Sequence, residues 1–135
     1  MLIEMRHKPY HYKRARLAGG RVFVPHGPAK RIIGWEMRNL WSAPPINGPF
    51  EVNMTFVFEQ SATMIKKCKG ITPPMIKTPD IDNLFKFYLD AGLNILWEDD
   101  RFCVKSSLQK IYGPEQKVII EWKGITTAPN SLAED

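Results

Sequence analysis

The chain has little cysteine, little histidine, no long apolar run and, over two stretches, almost no acid. Its 135 residues include only two cysteines, Cys68 and Cys103, in no metal-ligand spacing. That excludes a disulfide-stapled scaffold and a cysteine-based zinc site; the pair reads as free thiols, with a single disulfide as the alternative. No apolar run approaches the ~20 residues that cross a bilayer, and Met1–Arg6 lacks the apolar segment of a secretory signal. The expectation is therefore a cytoplasmic protein with no membrane partner. The three histidines, His7, His11 and His26, all lie near the N-terminus. The His7-x-x-x-His11 spacing can in principle hold zinc, but no cysteine or third ligand lies nearby, so these side chains read as solvated.

The acid deficit is local. Residues 1–31 carry eight Lys/Arg (Arg6, Lys8, Lys13, Arg14, Arg16, Arg21, Lys30 and Arg31) against Glu4 alone. Residues 61–79 carry Lys66, Lys67, Lys69 and Lys77 and no acid. Residues 80–100 reverse the sign, with Asp80, Asp82, Asp90, Glu98, Asp99 and Asp100 against Lys86. The net charge of +5 is by itself only a solubility charge or a polyanion footprint. Basic blocks beside a compact acidic block are more specific. Lysines and arginines track phosphates by displacing counterions, and clustered carboxylates suit a hard, oxygen-seeking cation such as Mg²⁺, with Mn²⁺ as a substitute. Together they point to metal-dependent chemistry on nucleic acid. Lys13, Arg14, Arg16, Lys66, Lys67, Lys69 and Lys77 are the expected phosphate contacts.

The pattern predicts one α+β domain over residues 1–135, with a flexible tail at 125–135: a two-layer fold in which a mostly antiparallel or mixed β-sheet packs against two main helices. Leu2–Met5 and Val22–Val24 read as short strands separated by a basic turn, Lys13–Arg21. Helical spacing of Ala29, Ile32, Ile33, Met37, Leu40 and Trp41 predicts a helix from Pro28 to about Ser42, stopped by Pro44-Pro45. Trp35 lies at the edge of that stripe, suited to core or dimer packing. Strict alternation over Phe50–Glu59 predicts a strand with one buried face. Residues 61–79 read as a long basic loop, a length usually tied to function or disorder. A second helix is expected from Thr78–Asp80 to Gly92–Asn94, its apolar stripe being Ile81, Leu84, Phe85 and Tyr88. Trp97–Arg101 reads as a turn, and Phe102–Tyr112 and Lys117–Lys123 as strands of a hairpin around Gly113-Pro114.

Each acid has an ordinary reading. Asp80 or Thr78 can cap the second helix, Asp82 can complement its dipole or pair with Lys86 one turn on, and Glu98–Asp100 can be a solvated turn. If the following strand returns beside the helix N-terminus, three carboxylates from distant positions can converge instead. Such a cluster asks for a cation or raised pKa values. Tyr10 and Tyr12 among Lys8, Lys13, Arg14 and Arg16 are either a base-stacking surface or partly buried strand aromatics.

Pro79-Asp80-Ile81-Asp82-Asn83-Leu84-x-Lys86-x-x-Leu89-Asp90-Ala91, followed by Trp97-Glu98-Asp99-Asp100, resembles the RusA-type Holliday junction resolvases, common in phages and prophages. The likeness is close over this centre and looser over most of the chain, including Gly20–Pro25 and the Ile119–Trp122 strand. It implies that Asp80, Asp82 and Asp100 are catalytic carboxylates associated with Mg²⁺, with Asp99 as an adjoining ligand, that Lys86 is a catalytic lysine, and that Asp90 is structural. It further implies a homodimer in a bacterial or phage-infected cell that resolves four-way DNA junctions by paired hydrolysis, leaving a 5′-phosphate and a 3′-hydroxyl. The chain departs from the pattern at Gly92-Leu93-Asn94-Ile95, where relatives often have Leu-Asn-Gly. It departs again at Phe102, where many have Gln, and in lacking a Pro-rich opening; no departure removes a proposed ligand. A non-catalytic junction-binding module, or a nuclease acting on forks or flaps, are the alternatives. Keeping Asp80, Asp82, Asp100 and Lys86 together argues against the first, because DNA binding alone would favour losing acids.

Overall fold

The alternating run at Phe50–Glu59 becomes the central strand of the molecule, and everything else is arranged on it. In the computed structural model, which describes residues 1–12, 16–18, 21–23 and 27–126, the elements are β1 (Leu2–Met5), β2 (Arg16–Ala18), β3 (Arg21–Phe23), α1 (Gly27–Leu40), β4 (Phe50–Glu59), α2 (Ala62–Cys68), α3 (Ile81–Ala91), β5 (Cys103–Gly113) and β6 (Lys117–Gly124). A four-stranded mixed sheet has the order β1-β6-β4-β5, and β2 pairs with β3 in a separate two-stranded ribbon. The fold is α+β, as expected. Lys13, Arg14, Gly19, Gly20, His26 and the tail from residue 127 lie outside the described residues. Ile125, where the expected tail begins, donates its N–H to the Pro49 carbonyl at 2.9 Å.

Three expectations are corrected. The strands β5 and β6 do not form a hairpin: β4 lies between them, antiparallel to β6 and parallel to β5. The short link after Gly113 therefore crosses the end of β4, where a Cβ on Gly113 would meet Val57 Cγ1 at 2.5 Å. The basic 61–79 segment is not all loop. Ser61 caps α2 by accepting from the Met64 N–H at 3.1 Å, and Lys69 and Gly70 end it at positive φ. Finally, Arg16–Ala18 is not a turn but the first strand of the ribbon, in register with Arg21–Phe23.

One face of the sheet is apolar and the other polar, as period-two patterning requires. Ile3, Met5, Phe50, Val52, Met54, Phe56, Val118, Ile120 and Trp122 are buried under the helices. On the opposite face Glu51 pairs with Lys105 and Lys123, and Asn53 bonds Glu121. Helix α1 contributes Ile33 and Met37 to the core, while Ile32 and Trp35 stay 61% and 69% exposed, so its buried stripe is narrower than the spacing suggested. Helix α3 buries Leu84, Phe87, Tyr88 and Ala91. No helix among the described residues is long and apolar enough to cross a membrane.

Candidate active site

Packing Leu84, Phe87, Tyr88 and Ala91 inward forces the opposite side of α3 outward, and that side carries the acids and the lysine. Asp80 is the N-cap residue in extended conformation, yet its carboxylate makes no capping hydrogen bond. The capping role open to it is not used, and its oxygens face solvent. Asp82, in the first turn, is exposed. The approach to this turn is held from β5: Lys110 Nζ donates to the Lys77 and Pro79 carbonyls at 2.8 and 3.1 Å. Nothing in the sequence pattern marked Lys110, which reads as an ordinary polar position of a strand.

One and two turns beyond Asp82 come Lys86 and Asp90, which share a tyrosine. Lys86 Nζ lies 5.2 Å from the centroid of the Tyr12 ring and Lys30 Nζ lies 5.3 Å from it. The Tyr12 hydroxyl donates to Asp90 Oδ2 and accepts from Lys30 Nζ, which is 3.8 Å from the same carboxylate. The Tyr12 N–H also donates to the Asn83 carbonyl. Tyr12 is thus neither a strand residue nor an open stacking platform. It pins the N-terminal segment to α3 and supplies a negative ring face to two cations. Asp90, half-buried, has its carboxyl pushed up by desolvation and then by the charge of Asp100, which places Asp100 within electrostatic reach of the last turn of α3.

The Asp99–Asp100 turn is built by its own cap. Asp99 accepts from the Arg101 N–H at 2.9 Å and from the Arg101 guanidinium at 2.8–3.2 Å. These hydrogen bonds hold its carboxyl below the usual range, and they make it a poorer donor to a metal than Asp80, Asp82 or Asp100. Asp82 and Asp90 stand about 12 Å apart along the helix axis at ~1.5 Å per residue, and no three acidic, histidine or cysteine side chains among the described residues converge as a ready metal site. An all-oxygen donor set with unengaged Asp80 and Asp82 carboxylates still suits Mg²⁺, which takes one or two carboxylates and fills its shell with water and phosphate.

The basic residues divide. Lys66, Lys67, Lys69 and Lys77 are all exposed, on α2 and the segment leading to Asp80. Arg16 opens β2, whereas Lys13 and Arg14 lie outside the described residues. Cys68 and Cys103 are free thiols.

His7 is not a solvated histidine. Its Nδ1 sits 3.1 Å from Glu36 and its Nε2 2.8 Å from the Tyr88 hydroxyl, which also accepts from the Tyr10 N–H at 3.0 Å. A neutral ring protonated on Nδ1 satisfies all three partners. Adding a second proton would turn Nε2 from acceptor to donor and leave the Tyr88 hydroxyl proton without a partner. Burial lowers the His7 pKa, with Glu36 opposing. A pKa lower in the folded state means that the unfolded chain binds more protons, so stability is full above the unfolded value near 6.5 and falls as pH drops below it. Urea midpoints measured from pH 7.5 to 5.0 are expected to fall, and to fall less in His7→Gln; parallel slopes for the two proteins would overturn the assignment.

A model of the endodeoxyribonuclease RusA family matches residues 7–123, a span that begins at His7 and includes α3, Lys110 and the strands of the sheet beyond β1. Comparison with curated proteins gives no match. With the family's match running across nearly the whole described fold and through every acid of the site, the chain belongs to the RusA endodeoxyribonucleases, enzymes that resolve Holliday junctions.

Proposed function

We propose that this resolvase cuts four-way junctions by Mg²⁺-dependent hydrolysis, with paired symmetric nicks made by a homodimer. The observation that carries this reading is the exposed turn bearing Asp80 and Asp82, with Lys86 one turn away and held by Tyr12. Asp80, Asp82 and Asp100 would hold the metal, which when bound would make water more acidic and offset charge on the phosphate. Lys86 orients the phosphate and offsets its negative charge, while Lys30 stays engaged with Tyr12 and Asp90. Water's oxygen bonds to phosphorus as the bond to the 3′-oxygen breaks; the water loses a proton, the 3′-oxygen gains one, and the products are a 5′-phosphate and a 3′-hydroxyl. Lys66, Lys67, Lys69 and Lys77 grip the arms through backbone phosphates, which positions the junction without reading its sequence.

A junction has near two-fold symmetry, so paired cuts call for two sites related by a two-fold axis. Ile32 and Trp35, exposed on α1, offer apolar surface for a second copy to cover. On this reading the enzyme works in the cytoplasm of a bacterial or phage-infected cell, where its DNA substrate lies. The test is a labelled four-way junction beside fork, flap and duplex DNA, each with Mg²⁺ or EDTA. Paired nicks at opposite strands of the junction, absent in EDTA, are expected; cutting in EDTA, or preference for forks or flaps, would overturn the reading.

A further inference from the structure

Beside Asp80 lies a cleft of about 480 Å³ that the catalytic reading leaves unused, lined by Tyr10 and His11 of the N-terminal segment, by Thr78 and Pro79 of the segment leading to α3, and by Lys8 and Phe58. We propose that it receives one unstacked nucleobase of the strand being cut, next to the phosphate that reacts beside Asp80. This rests on reading Asp80 as part of the reacting centre.

The walls are fixed before anything binds. Tyr10 keeps 40% of its surface exposed, but its ring is stacked on the fully buried Phe87 at a centroid distance of 5.7 Å and an interplanar angle of 25°. Its N–H is tied to the Tyr88 hydroxyl. The Thr78–Pro79 part of the lining is tied to the sheet by Lys110, whose ammonium grips the Lys77 and Pro79 carbonyls on either side of Thr78. A rigid aromatic with an open side, apolar Phe58 and Pro79, and hydroxyl, imidazole and ammonium groups around them match a planar heterocycle with polar edges joined to a phosphate. Single-strand binding sites stack bases on such rings irrespective of base identity, with hydrogen-bonding edges adding preference. The size falls in the range of small-ligand clefts. Pro79 is both a wall of the cleft and the neighbour of Asp80, so a base lodged there has its own backbone beside the carboxylates. A bound peptide or free metabolite would not share that continuity with a DNA site.

The experiment is a set of four-way junctions, each with a single abasic nucleotide at one position around the cut, with binding measured in EDTA. One position is expected to lose affinity about tenfold to a hundredfold with wild-type protein, the scale for one stacked base. Tyr10→Leu, which keeps apolar packing on Phe87, should lose as much on the intact junction and nothing further on that abasic one. Tyr10→Phe should match wild type. Equal sensitivity to every abasic position, or additive losses in Tyr10→Leu, would overturn the pocket. Since binding in EDTA is independent of cutting, coupling without cleavage in Mg²⁺ would keep the pocket and sink the catalytic reading, and cleavage without coupling would do the reverse.

Discussion

Asp82→Asn is expected to reduce junction cleavage by about 10²- to 10³-fold while leaving the fold and junction binding intact. That scale is typical for losing one group placed to stabilise charge in a transition state. Asp82 is exposed, and no hydrogen bond or ion pair ties it to the described residues. Asparagine has nearly the same shape, so the structural cost is confined to the lost interaction with the helix dipole, roughly 0.3–1 kcal/mol at a first-turn acid. Removing a negative charge beside a phosphate should if anything tighten binding in EDTA. The two readouts therefore move in opposite directions, which a global folding defect cannot imitate. Single-turnover cleavage with saturating protein, alongside a urea midpoint, checks it. Cleavage within a few-fold of wild type would remove Asp82 from the reacting centre and leave the first turn of α3 without a catalytic role.

The acids were legible in the sequence because they violate the composition of their own chain: a basic protein that gathers six acids into 21 positions asks for a reason. The helix that presents them was equally legible, since Leu84 and Tyr88 keep helical spacing and Asp80 marks the start. Phe87 escaped the expected stripe because a helix packed on both a sheet and an N-terminal segment buries a wider arc than one apolar row. It is the residue on which Tyr10 stacks and Tyr12 packs edge-on. The topology of the last strands was hidden for a different reason. A short Gly-Pro link between two strands signals a hairpin locally, and only the presence of β4 between them, a contact across more than 50 residues, makes it a crossing.

The supporting cations were harder still. Lys30 sits on α1 and Lys110 on β5, each as an unremarkable basic residue, and their roles exist only after folding brings them to Tyr12 and Pro79. His7 shows the same limit from the other side. A histidine in a polar stretch reads as solvated until Glu36 and Tyr88, from two different helices, close around it. Sequence patterning reports what a residue does for its own element; it is silent about partners that arrive from elsewhere.

Trp97→Ala is expected to cost about 3–5 kcal/mol of stability, the range for deleting a fully buried aromatic, against a total of only about 5–15 kcal/mol for a domain. The indole is wholly buried, stacked on Phe50 at 5.0 Å and edge-on to Trp122 at 6.2 Å. Gly92 admits it so closely that a Cβ there would lie 2.6 Å from the ring. Its Nε1 donates to the Leu89 carbonyl at 2.9 Å, its own carbonyl accepts from Asn94 at 2.7 Å, and the next residue, Glu98, donates to Ile46. Trp97 thus ties the last turn of α3, which carries Asp90, to the turn that carries Asp99 and Asp100. Trp97→Phe separates the two duties. It keeps the stack on Phe50 but leaves the Leu89 carbonyl without its donor, a loss of about 1–3 kcal/mol, and loosens Asp100 relative to α3. At a temperature where both proteins are fully folded, Trp97→Phe is expected to cleave junctions more slowly than wild type with unchanged binding in EDTA. Urea unfolding and single-turnover cleavage measured on the same preparations check both parts. A fully active Trp97→Phe with the expected drop in stability would show that Asp100 is positioned without the indole, by the Asp99–Arg101 cap alone.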